Sequence, residues 1–301
     1  MEKEVVIKSA SKDNMISIAK GIGIILMVIG HSGCPTYMRN FIYMFHMPLF
    51  FIISGYCFKT YYLSDFKTFA KKRFLGLYVP FIKYCILFLI LHNLFYKLGI
   101  YNDVFGKGVL GIYYDIETMI TNFFRIFLLI NCESIISPLW FVASLFLGYF
   151  IFYFAKRYIR NNLYCGIVLL IISLVLIPFT KSSLPIVFRS AFGALYLWGG
   201  EIIYRKFRYL NRIWIMLLSL VIVCVGSVFL PTEMPKVNYY TFLPYFICSL
   251  FGSVMLLIIS DRVKRIKSCA IKVLEYIGNH TMTILVWHFL CFKIVSLIII
   301  L

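Results

Sequence analysis

Lys20 and His31 stand eleven residues apart in one apolar run, ISIAKGIGIILMVIGHS. At about 100° per residue that spacing returns to nearly the same helical face, and at about 1.5 Å per residue it spans roughly 16 Å. One stripe therefore carries an ammonium at one end and an imidazole at the other. Imidazole exchanges protons near neutral pH, and an ionisable group inside an apolar run marks a site by default. A second histidine, His46, opens the next run, FHMPLFFIISGYCF, just ahead of Met47 and Pro48. The proline is expected to kink that helix and free a carbonyl about a turn earlier, which is tolerated at membrane depth only where protein or water satisfies it. Two histidines near one turn suit a polar cavity and general acid–base chemistry, with His31 as the proton carrier. Read singly, Lys20 also fits a snorkelling flank, and His31 an interfacial ring bonded to a backbone carbonyl.

Other residues carry weaker signals. Ser54-Gly55 permit close helix approach, and Gly193, Gly199 and Gly200 read as packing surfaces. Trp140, in SPLWFV, is an interfacial aromatic by position. His288 falls about eight residues into the last apolar run, where core packing and a supporting role are equally good readings. His92 reads as structural, His280 as a cap-region residue, and Glu201 as the partner of Arg205 one turn on.

The elements that must hold these residues follow from composition. The 301 residues are 62% hydrophobic and 14% charged, and mean hydropathy is +0.90. Soluble domains run nearer half apolar and a quarter charged. Repeated apolar runs of about 20 residues predict an all-α, polytopic transmembrane helix bundle. Residues 1–301 form a single membrane-embedded domain in this reading, with 1–13 as a cytoplasmic tail and 98–137 as a long outer loop. Spans are expected near 15–33, 41–58, 74–97, 138–155, 163–179, 186–204, 212–230, 242–260 and 280–301, which makes nine. The stretch 118–131 is apolar but short and reads as an interfacial or re-entrant helix.

A formal charge of +18 would suggest nucleic acid in a soluble chain. Here the basic residues cluster in alternate loops, around Lys59–Arg73, Lys156–Arg160, Arg205–Arg212 and Arg262–Lys272. That asymmetry predicts a cytoplasmic N-terminus, a multi-pass protein of the plasma (inner) membrane and no nucleic-acid partner. His31 and His46 then lie near the outer ends of their helices and Lys20 near the inner end. The acidic residues of 98–137 make that loop a possible lid for an acceptor. The charged preamble and the lack of a cleavage site predict no cleaved signal peptide.

Nine cysteines form no CxxC pair, so neither a metal nor a redox site is predicted, and only Cys34 and Cys132 invite a pairing. No P-loop, GxSxG elbow, HExxH or Rossmann fingerprint is present, which disfavours nucleotide hydrolysis, serine hydrolase and zinc protease chemistry.

The chain resembles acyltransferase family 3, multi-pass enzymes that modify surface glycans, lipids and antibiotics. ISIAKGIGIILMVIGHS is similar to that family's opening helix and FHMPLFFIISGYCF to its second-helix signature. Weaker likenesses are SPLWFVASLF, GALYLWGGEI and IGNHTMTILVWHF. The sugar-acetylating members, such as fucose O-acetylase-like proteins, look closest. The resemblance implies that Lys20 stands for the basic residue that meets the donor, His31 for the catalytic histidine and His46 for the second-signature histidine, with Ser54, Trp140 and His288 in supporting roles. Ser17 stands where many members have aspartate, and the family commonly has a tenth helix that is not evident here. The expected activity is transfer of an acyl group, in the first instance acetyl, from acetyl-CoA to a hydroxyl of a cell-surface glycan or its lipid-linked precursor. No metal is expected. Expected partners are a sugar or glycolipid acceptor, membrane lipids and polysaccharide biosynthesis machinery of the cell envelope. The rival reading is a glycolipid or polysaccharide transporter or flippase without transferase activity, weakened by the absence of inverted repeats with broken helices.

Overall fold

The computed structural model describes residues 14–102, 111–131, 133–182 and 184–300. The tail 1–13, the centre of the long loop with Asp103 and Lys107, Cys132 and Leu301 lie outside the described residues. Among the described residues the chain is helical without strands. In order the helices are α1 (Asn14–His31), α2 (Thr36–Tyr43), α3 (His46–Tyr56), α4 (Phe66–Arg73), α5 (Val79–Lys97), α6 (Ile116–Phe127), α7 (Trp140–Tyr158), α8 (Asn162–Val175), α9 (Pro185–Leu210), α10 (Ile213–Phe229), α11 (Tyr239–Val263), α12 (Cys269–Asn279) and α13 (Thr281–Ile300).

Local chemistry sets most boundaries. Asp65, Asp115, Asn161, Asn238 and Ser268 each accept backbone N–H groups at the starts of α4, α6, α8, α11 and α12. Pro185 opens α9, where its missing N–H has no cost. α4 runs into α5 through a π-helical turn, Phe74–Tyr78. Pro80 follows, and its ring crowds the carbonyl four residues earlier, which accounts for the widened turn.

Among the described residues six segments are long and apolar enough to cross a membrane: Asn14–His31, Phe66–Lys97, Ser137–Tyr158, Pro185–Leu210, Tyr239–Val263 and Thr281–Ile299. α8 and α10 are shorter apolar helices in the places expected for two further spans. The run 41–58 is not one helix. Phe45 leaves the helical region, with φ −142° and ψ −16°, so the chain breaks between α2 and α3. Pro48 lies in the first turn of α3 and not at a mid-helix kink. An 11-residue helix reaches about 16 Å, too short to span alone. α6 presents Ile116, Ile120, Phe124 and Leu128 to the exterior, as an interfacial helix does.

Two close helix crossings hold the site-bearing elements. α3 meets α9 where Gly55 faces the Leu197 carbonyl and Gly200 the Ile52 carbonyl. α1 meets α12 where Gly21 faces the Leu274 carbonyl and Gly278 the Ser17 carbonyl. A Cβ at any of these four positions would overlap backbone, so the small-residue reading of Gly55 and Gly200 holds. Ser17 donates to Asn279 Oδ1 at 3.1 Å beside the second crossing. At the Lys/Arg-rich end of α9, Glu201 accepts from the buried Lys156 at 3.1 Å and also pairs with Arg205, as expected.

Candidate active site

The His31 end of α1 faces a chamber of about 520 Å³. His31, Tyr43 and His46 line it from α1, α2 and α3, while Trp140 and Arg189 do so from α7 and α9. The break between α2 and α3 turns His46 toward Tyr43, with ring centroids 4.9 Å apart. Tyr43 in turn faces His31 at 5.7 Å.

Hydrogen bonds set the ring tautomers. Tyr43 Oη lies 3.1 Å from the Gly30 carbonyl and 3.1 Å from His31 Nδ1. A carbonyl can only accept, and a phenol has one proton. Both contacts are satisfied together when Tyr43 donates to Gly30 and His31 Nδ1–H donates to Tyr43. His31 Nε2 is then the basic nitrogen. His46 Nδ1 lies 3.0 Å from the Ile42 carbonyl, so it carries a proton and leaves its own Nε2 basic. His288, on α13, sits beside His31 with centroids 5.6 Å apart. Its Nδ1 donates to the carbonyls of Ile284 and Leu285 at 3.1 and 3.0 Å. Its Nε2 is buried without a hydrogen-bond partner. Two imidazoles thus flank Tyr43 and a third flanks His31, each with a backbone-tied or tyrosine-tied Nδ1.

Lys20 lines a second chamber of about 240 Å³, together with Ser54 from α3 and Thr281 from α13. The two linings share Met27 and Met47. The chambers therefore abut along the stripe of α1 that joins Lys20 to His31, separated by two thioether side chains. Met27 is fully buried and Met47 nearly so.

On the far wall of the larger chamber stands Glu133, which is 3% exposed. His92 approaches Glu133 Oε2 with Nδ1 at 2.9 Å, and its Nε2–H donates to the Ile112 carbonyl at 2.8 Å. Tyr101 Oη also lies 2.8 Å from that Nδ1, so His92, Glu133 and Tyr101 form one hydrogen-bonded cluster. Tyr101 donates to the same Oε2 at 3.2 Å, and Tyr114 stacks on His92 at 3.5 Å. Burial raises the Glu133 carboxyl above its ordinary value, an effect that His92 and Tyr101 only partly offset. The structural reading of His92 thus gains a partner close to the site.

The structure brings His31, His46, Trp140 and His288 to one end, and Lys20 with Ser54 to the other. Tyr43 was the missing member, although its place three residues before His46 puts it one turn away. Arg189, an arginine inside an apolar run, also carried a readable signal. Glu133 was signalled only as one of the acidic residues of 98–137, because its place at the wall depends on His92, 41 residues earlier. His280 caps the end of α12, bonds the Tyr276 carbonyl through Nδ1 at 2.7 Å and lines neither chamber. Among the described residues no cluster of His, Cys, Asp or Glu is arranged to hold a metal ion.

A helical membrane protein with an imidazole-lined chamber abutting a lysine-lined one is the class these features define. The acyltransferase family 3 model, an acyltransferase domain, matches residues 14–301, and the chain belongs to that family. No curated protein and no solved structure matches it. By family the chain is a membrane acyltransferase.

Proposed function

We propose that the protein moves an acetyl group from acetyl-CoA to a hydroxyl of a cell-surface glycan or its lipid-linked precursor, across the plasma membrane, with its N-terminus cytoplasmic. The observation that carries this reading is the pair of chambers meeting at Met27 and Met47. A donor with anionic phosphates at one end and a thioester at the other needs a cation, a slot and a base in that order. Lys20 meets the phosphates, the arm passes the two methionines, and the thioester carbonyl reaches the His31 chamber.

His31 Nε2 takes the proton of the acceptor hydroxyl as its oxygen attacks the carbonyl. The C–O bond forms, the C–S bond breaks, and the imidazolium returns its proton to the departing thiolate. Tyr43 holds the ring in the tautomer this requires. His46, with its Nδ1–H on a backbone carbonyl, can stabilise the oxyanion only as an imidazolium. It serves as a second proton carrier across Tyr43. His288 bounds the other face of the His31 ring, and Trp140 and Ser54 shape the acceptor and donor chambers.

Full-length protein in vesicles, given labelled acetyl-CoA on the Lys20 side and candidate glycans on the other, tests the proposal. Label should move to the glycan and stop on His31→Ala. Glycan translocation without acetyl-CoA consumption would replace this reading with the transporter.

A further inference from the structure

Arg189 is the fifth residue of α9, at the wall of the His31 chamber. Its guanidinium lies over Trp140, with Cζ 4.9 Å from the ring centroid. Its Nε is buried without a hydrogen-bond partner. No ion pair ties it to a carboxylate among the described residues; Glu233, in the same lining, pairs through Oε1 with the exposed Lys236 at 2.6 Å. Arg189 is half-buried, and Glu233 lies close enough to act on it electrostatically without an ion pair; its planar fork matches a carboxylate or phosphate through two parallel N–H bonds. The stack on Trp140 leaves that N–H edge as the face on offer.

Glu133 supplies the complementary group. Its Oε2 is committed to His92 and Tyr101, while Oε1 is buried without a partner. With Oε2 engaged by both neighbours, Oε1 is the carboxyl oxygen left to accept. A buried acceptor of this kind calls for a donor from the chamber.

We propose that the large chamber holds an acceptor subsite for an acidic sugar: Arg189, backed by Trp140, takes its carboxylate or phosphate, and Glu133 Oε1 accepts from a ring hydroxyl. This rests on the acyltransferase reading for its purpose, since it names the class of acceptor. It does not rest on that reading for its test.

The test is calorimetric titration of the full-length protein in nanodiscs with methyl β-D-glucuronoside, glucose 1-phosphate and methyl β-D-glucoside, each without donor. One or both anionic sugars should bind at least about tenfold more tightly than the neutral glucoside, because the ion pair forms in a shielded site. The two anionic arms separate carboxylate from phosphate. Arg189→Gln should erase the preference, Arg189→Lys should keep part of it, and Glu133→Gln should weaken both sugars severalfold. Equal binding of all three sugars, no binding of any, or wild-type preference in Arg189→Gln would overturn the proposal. CoA is titrated in parallel. A variant that still binds CoA is folded, and a wild type that binds acidic sugars but not CoA would sink the donor reading while leaving the subsite standing. If Arg189→Gln weakened CoA and spared the sugars, the guanidinium would serve the donor and the proposal would fall.

Discussion

Tyr43 Oη touches the Gly30 carbonyl and His31 Nδ1 at the same distance, 3.1 Å, and so decides which nitrogen of His31 is basic. The tyrosine is held from behind, because Tyr245 donates to the Tyr43 carbonyl at 2.9 Å. A residue of α2 thereby orients the His31 ring of α1, and the helix break that follows it brings His46 to the same tyrosine.

Removing that hydroxyl tests the relationship. Tyr43→Phe should keep the fold and lower acetyl transfer by about 10- to 100-fold, because a mis-set tautomer loses part of a general-base effect worth about 100- to 10,000-fold. His31→Ala should lose the full factor. Transfer rates in vesicles read both, and equal rates for wild type and Tyr43→Phe would discard the tautomer argument.

Met27 and Met47 close the wall between the chambers. Met27→Trp should stop transfer from acetyl-CoA while CoA binding at Lys20 survives, with about 1–3 kcal/mol of overpacking cost in stability. Binding and turnover measured on one preparation check it. Unimpaired turnover would mean that the thioester travels elsewhere.

Lys20→Ala should raise the KM for acetyl-CoA by about tenfold, the scale of one charged contact to phosphate, and leave kcat nearly unchanged. Lys20→Arg should restore it. A fall in kcat alone would place Lys20 in the chemistry and not in donor capture.

The crossing of α1 and α12 should tolerate no side chain. A Cβ at Gly278 would land on the Ser17 carbonyl, so Gly278→Ala should lower stability by about 1–3 kcal/mol or more. Thermal unfolding in detergent measures this. Gly76, with no neighbour near its missing Cβ, is the control, and its alanine variant should melt like wild type.

Orientation is open to thiol chemistry. Cys34 lies just beyond His31 and is partly accessible, while Cys57 and Cys269 are exposed at the Lys/Arg-rich end. An impermeant maleimide applied to the outside of intact cells should label a variant that keeps Cys34 alone. Variants that keep only Cys57 or Cys269 should react only after permeabilisation, and the reverse pattern would invert the topology.

Hydropathy and spacing are local, and they determined what local physics can determine. Apolar runs long enough to cross hydrocarbon made the chain a helical membrane protein, and the eleven-residue interval put Lys20 and His31 on one stripe before any coordinates. The same logic failed at 41–58, because an apolar run does not say where its backbone leaves the helix, and Phe45 does so just before His46. What only the tertiary structure decided are the contacts between distant segments: Tyr43 against His31, His288 beside that ring, His92 on Glu133, Arg189 over Trp140. It also decided the alignment of two chambers across Met27 and Met47. These depend on helix crossings set by Gly21, Gly55, Gly200 and Gly278, where backbone meets backbone, and no periodicity within one helix encodes which neighbour it will touch.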